Sequence, residues 1–148
     1  MRLLDVNLLI YASNEQSPYY SEARSWLRDL LSSGETVALP WAVIMAFIRL
    51  VTNPRVLDPP LDVTNAIEIT RRWREYPSVT VPSPTDRHLD VLHHLLASTS
   101  TAGNMISDAH LAAIAIEHGA VLCSADNDFA RFPGLNWENP LHRAEGNT

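Results

Sequence analysis

Residues 106–124 read ISDAHLAAIAIEHGAVLCS. From Ile106 to His118 the apolar residues crowd together as a buried helix requires, and Gly119 suits its C-terminal stop. Ala120 to Ser124 then forms a short apolar run, the composition of a strand buried in a sheet. A helix turning through one glycine into a buried strand is the repeating half-unit of a parallel α/β sheet.

The same alternation recurs toward the N-terminus. Arg2 to Asp5 predicts a short strand, with Val6 to Tyr11 continuing into a connection. Ala23, Trp26, Leu27, Leu30 and Leu31 fall on one stripe, which predicts an amphipathic helix over 21–33 closed by Gly34. Thr36 to Leu39 predicts a strand. Pro40 opens a second helix with Val43, Phe47, Leu50 and Val51 inward, and Asn53-Pro54 ends it. Asp62 is placed to cap a helix carrying Val63, Ala66 and Ile67. Val79 to Val81 is a weak strand, and Thr85 is placed to cap a helix with Leu89, Leu92 and Leu96 on one side. The polar stretch 98–104, STSTAGN, predicts a moving loop, and Leu135 to Trp137 a final edge strand. There is no internal repeat. The expectation is an α/β domain with a mainly parallel sheet.

Bulk properties narrow the classes. The 148 residues suit one ordinary domain, and 46% apolar content suits a packed core. A single cysteine, Cys123, leaves no intramolecular disulfide and no cysteine zinc site. Asp5 breaks the N-terminal apolar run too early for a secretory signal, and Pro40 interrupts the longest apolar run, Ala38 to Ile48. A cytoplasmic domain with no membrane contact is expected. The net charge of −6 argues against bulk attraction to nucleic acid, although metal ions can offset a local acidic cluster. Every basic residue is arginine. The lack of lysine removes a P-loop and counts against phosphoryl transfer through an aspartyl intermediate.

Asp5 raises the chemical question, because a buried carboxylate needs a proton, a partner or a metal. It sits at the end of the first strand, and ligands of parallel sheets bind beyond the carboxyl ends of the strands. Asp108 opens the late helix, where capping or contact with the helix dipole would explain it alone. Asp126 and Asp128 follow the buried strand, where turn chemistry would explain each alone. Three distant segments would nevertheless bring carboxylates to one end of one sheet. Gathered there they repel one another unless a cation neutralises them. Oxygen-only ligands suit Mg²⁺ or Mn²⁺, ions that activate water for phosphodiester cleavage.

The segments DVNLLIYA and SDAHLAAIAIEHGAVLCSADNDF together resemble the PIN-domain ribonucleases of the VapC toxin type. WAVIMAFIRLVTNPRV resembles the second-helix region of one branch of these toxins. The resemblance implies a single PIN-like domain over 1–148, folded as a three-layer α/β/α sandwich. It also implies Mg²⁺-dependent RNA cleavage with Mn²⁺ as a substitute, inhibition by a cognate VapB-type antitoxin, and a homodimer. On the same basis Asp5, Asp108 and Asp126 match the catalytic, metal-holding acids, and Asp128 matches an accessory acid. Asn7 and Ser124 match small polar positions that orient the acids or a water.

One departure stands out. The family usually carries a glutamate in the helix after the second strand. Here that segment reads VIMAFIRL, with Ala46 near the expected place and no acid between Pro40 and Asn53. Arg49 lies on a similar face and is a candidate contact for a substrate phosphate, beside its plainer reading as a surface residue. The missing acid keeps open a second reading, a non-catalytic or weakly active module that binds RNA or antitoxin.

Other features have plain explanations. RRWR at 71–74 fits a solvated helix face better than a nucleic-acid patch. His93 and His94 are expected to be exposed, and His118 to meet the helix C-terminus. Neither His110 nor His118 makes the HExxH spacing of a zinc enzyme. Cys123 and the tryptophans 26, 41, 73 and 137 are expected to be packing residues.

Overall fold

A computed structural model describes residues 1–99 and 105–141. Five short strands form one sheet: β1 (Arg2–Leu4), β2 (Val37–Ala38), β3 (Val79–Thr80), β4 (Val121–Cys123) and β5 (Trp137–Glu138). Their spatial order is β3-β2-β1-β4-β5, and every neighbouring pair is parallel. The central strands are buried on both faces: Leu3, Leu4, Val37, Ala38, Leu122 and Cys123 are all fully covered. This is why they read as unbroken apolar runs and not as alternating ones.

Among the described residues six α-helices connect the strands: α1 (Val6–Tyr11), α2 (Tyr20–Leu31), α3 (Trp41–Val51), α4 (Val63–Glu75), α5 (His88–Ala97) and α6 (Ile106–Glu117). Helices α1–α4 serve the crossovers from β1 to β2 and β2 to β3, which move outward in one direction. Helices α5 and α6 serve the return from β3 to β4 on the other side of β1. Right-handed crossovers in opposite directions place the two sets on opposite faces, giving three layers. The packing agrees, since α1 meets α2 and α3, α3 meets α4, and α5 meets α6. Gly119 closes α6 at a φ of +64°, a conformation that favours glycine.

The connection direction reverses between β1 and β4. In an open parallel sheet this switch point leaves a crevice beyond the carboxyl ends of the two strands. Asp5 follows β1 and Ser124 follows β4, so the crevice lies between them.

Several sequence expectations are corrected. Val6–Tyr11 is a helix, not a connection, and Asp5 is its N-cap. Thr85 does not cap α5, which begins at His88 after Arg87; its amide and hydroxyl bind Glu117 instead. Leu89 is 77% exposed, and Val63 and Ile67 are also exposed, so Leu95 and Ala66 carry the burial of their helices. Trp41 is exposed, with the Arg74 guanidinium over its ring. The His118 ring binds the Ser83 carbonyl at 2.7 Å and not its own helix end. Asp62 does cap α4, accepting from the Asn65 amide at 2.7 Å. Within RRWR, Arg71 and Arg72 pair with Glu68, while Trp73 meets the edge of buried Phe47 at 4.8 Å. His93 and His94 are exposed and Cys123 is buried. Most of the polar stretch 98–104 lies outside the described residues. Among the described residues no helix is long and apolar enough to cross a membrane.

Candidate active site

Asp5 is held by three strand-end contacts. Its amide donates to the Cys123 carbonyl at 2.9 Å, extending the β1–β4 ladder by one step. Its Oδ1 accepts from the Val6 amide at 2.8 Å, which caps α1. Its Oδ2 accepts from the Ser124 hydroxyl at 2.7 Å. Burial pushes the Asp5 carboxyl above its usual range; the bonds from Ser124 and Val6 oppose this, and the charge of Asp126 adds to it.

Ser124 is fully buried and joins the two strand ends. Its Oγ accepts from Asn7 Nδ2 at 3.1 Å and from the Asp126 amide at 3.0 Å. Asn7 Oδ1 in turn accepts from the Ala125 amide at 3.3 Å. Asn7 and Ser124 thus orient Asp5 and the start of the following turn. There Asp126 caps a short 3₁₀ turn, Asn127–Arg131, accepting from the Asp128 amide at 2.9 Å. Asp128 is exposed and pairs with Arg131 at 3.4 Å.

Asp108 projects from the first turn of α6 but is not its cap, which is Met105. Its carboxyl is pushed up to about 6, first by burial and then by the charges of Asp5, Asp126 and Asp128. Burial first, and the neighbouring carboxylates after it, thus raise the two acids that face the cleft.

Asp5 and Asp108 line one cavity of about 450 Å³, together with Ala46, Arg49, Leu50 and His110. Ala46 occupies the wall where the extra acid was missed, and Arg49 is an exposed residue at the rim. Another cavity, of about 480 Å³ between α2 and α4, has a single carboxylate in its lining, Glu15.

Among the described residues no three His, Cys, Asp or Glu side chains are gathered tightly enough to cage a metal ion. An all-protein site is thus not preformed. A magnesium ion does not require one, because it keeps several waters and is held by one or two carboxylates plus substrate phosphates. The donor set fits that mode: all-oxygen, mutually repelling and open to a cavity.

Sequence reasoning missed a further group. His88, on α5, is bound through Nδ1 to Glu117 Oε2 at 2.5 Å and through Nε2 to His110 Nδ1 at 2.9 Å. Thr85 donates to Glu117 Oε1 through its amide at 2.8 Å and its hydroxyl at 2.6 Å. Burial opposes the charge of Glu117, but the bonds from Thr85 and His88 outweigh it and hold the carboxyl below its usual value. A signal in the sequence was the seven-residue spacing of His110 and Glu117, which puts both on one face of the helix.

The parallel sheet, the acids at its switch point and the open cavity define an α/β protein with two carboxylates set in a largely apolar cleft. The PIN domain family matches residues 2–135. Ribonuclease VapC37 of Mycobacterium tuberculosis is 39% identical over 140 residues, covering 95% of this chain and 97% of that protein. Ribonuclease VapC33 of the same species is 37% identical over 141 residues, covering 95% of this chain and 99% of that protein. The fold is similar to VapBC2 from Rickettsia felis, solved bound to a DNA fragment from its promoter. The TM-score is 0.67 at 19% identity, over 93% of this chain and 97% of that one. The chain belongs to the PIN-domain family and, within it, to the VapC type.

Proposed function

We propose that this chain is a Mg²⁺-dependent endoribonuclease, the toxin of a type II toxin–antitoxin pair. The observation that carries the reading is the placement of Asp5 and Asp108 on one cavity at the sheet's switch point, with Asp126 close enough to raise both carboxyls. Kinship with the proteins named ribonuclease VapC supports RNA as the substrate class. A VapB-type antitoxin as partner is drawn from the VapBC complex of the same fold, and a homodimer from family membership. A cytoplasmic location and a single domain over 1–148 complete the proposal.

In this mechanism Asp5, Asp108 and Asp126 would hold the metal with waters and substrate oxygens completing its shell, and Asp128 would assist from the adjoining turn. A bound divalent ion supplies charge to the phosphate oxygens and lowers the pKa of a water. Ser124 and Asn7 fix the rotamer of Asp5, so the carboxylate is pre-aimed before any ligand arrives. Arg49 at the rim meets a substrate phosphate with its guanidinium fork. The apolar walls, Val43, Leu50 and Leu92 among them, limit water around the reacting group.

Ala46 favours the second reading, an RNA- or antitoxin-binding module with little or no catalysis. Incubation of purified protein with total RNA separates the two. Cleavage in Mg²⁺ that stops in EDTA supports the nuclease. Retention of intact RNA at every Mg²⁺ and Mn²⁺ concentration supports the binding module.

A further inference from the structure

His110 occupies a position that neither helix packing nor the acidic cluster accounts for. It sits two residues beyond Asp108 on α6 and lines the same cavity as Asp5 and Arg49. Its Nδ1 is taken by His88. His88 is fixed from its other nitrogen by Glu117, and Glu117 is fixed by two bonds from Thr85. The side chain of Glu117 is wholly covered and that of His88 is 13% exposed, so the middle of the chain of contacts is shielded, while Thr85 anchors it at the surface. The two imidazoles meet edge to face with centroids 4.8 Å apart, which fixes the plane of the second ring as well as its position.

Such a chain costs conformational entropy at four side chains and desolvation at the covered ones, yet it delivers one ring to a cleft wall. With Nδ1 engaged, Nε2 is the ring nitrogen left to meet a ligand. We propose that His110 is a substrate-contact residue, binding the ribose–phosphate backbone of RNA through Nε2, and that Thr85, Glu117 and His88 are positioning residues that present it. The inference rests on the ribonuclease reading and adds to it a specific, acid-free contact on the α6 side of the cleft.

Two substitutions divide the ring's functions. Glutamine places an amide near the position of Nε2 and can donate or accept there. Asparagine places its amide near Nδ1, keeping the link to His88 while vacating the cleft. The test is fluorescence anisotropy of full-length protein with a labelled mixed-sequence single-stranded RNA, in EDTA, so that neither metal loading nor turnover enters. His110→Asn is expected to weaken binding about ten-fold, as loss of one charge-assisted hydrogen bond does, with an unchanged melting temperature. His110→Gln is expected to stay within about two-fold of the wild type, by the same reasoning. Glu117→Gln, which loosens His88 without touching the cleft, is expected to fall between them.

If His110→Asn binds like the wild type while His110→Gln binds poorly, the ring acts only through His88 and the assignment is overturned. Equal binding by all variants overturns it as well, leaving the nuclease reading intact. No RNA binding by the wild-type protein in EDTA overturns the His110 contact, while cleavage of total RNA in Mg²⁺ tests the ribonuclease reading separately.

Discussion

Ser124 Oγ donates a 2.7 Å hydrogen bond to Asp5 Oδ2, tying the carboxyl end of β4 to that of β1 across the switch point of the sheet. The hydroxyl also accepts from Asn7 and from the Asp126 amide while fully buried, so every group it touches depends on it.

Ser124→Ala leaves Asp5 and Asn7 each short of a partner. The expected cost is about 1–3 kcal/mol, that of a buried polar group left unsatisfied. Urea unfolding at pH 7 measures it, and a midpoint identical to the wild type would show that the hydroxyl is dispensable.

Asp108 makes stability depend on pH. Its folded carboxyl is raised to about 6, above an unfolded value of about 4, so the folded state holds this proton more tightly. Stability is therefore greatest below about pH 4 from this group, falls as pH rises toward 6, and stays reduced above that. Asp108→Asn removes the effect. Melting curves in EDTA are expected to coincide best near pH 4, with the variant more stable by pH 7. Curves that run parallel across the range would contradict the raised carboxyl.

Ala46→Glu restores a carboxylate to the cavity wall beside Asp5 and Asp108. Without metal the added charge is expected to lower the melting temperature. With Mn²⁺ it is expected to tighten binding by at least the roughly 10-fold that outer-shell partners contribute. Calorimetric titration reads this directly; an unchanged affinity would mean that the metal does not bind at this wall.

The parallel sheet was legible because its strands are buried on both faces, and Val37–Ala38 and Val121–Cys123 consequently read as apolar runs. Helix α1 was not legible. Its six residues are too few to display a period, and its cap, Asp5, also serves the cleft, so the acid looked like an interruption. The start of α5 was misplaced because Thr85, a good capping residue, is recruited by Glu117 from α6. That contact joins residues 32 positions apart, and no local pattern encodes it. The same applies to His88 and His110, which meet only when α5 packs on α6. The placement of the acids toward one end of the sheet was legible because each follows a strand or opens a helix. Their hydrogen-bonded geometry, with Asp5 clamped at both oxygens, was not.

The most direct test is the rate of total-RNA cleavage by Asp5→Asn beside the wild type at equal Mg²⁺. Asparagine keeps the size of the side chain and can still cap α1 through its carbonyl oxygen, so the fold is expected to persist by circular dichroism. The ribonuclease reading predicts a loss of about 10²-fold or more, the scale of removing a preorganised electrostatic group. A folded Asp5→Asn protein that cleaves RNA at the wild-type rate would contradict it.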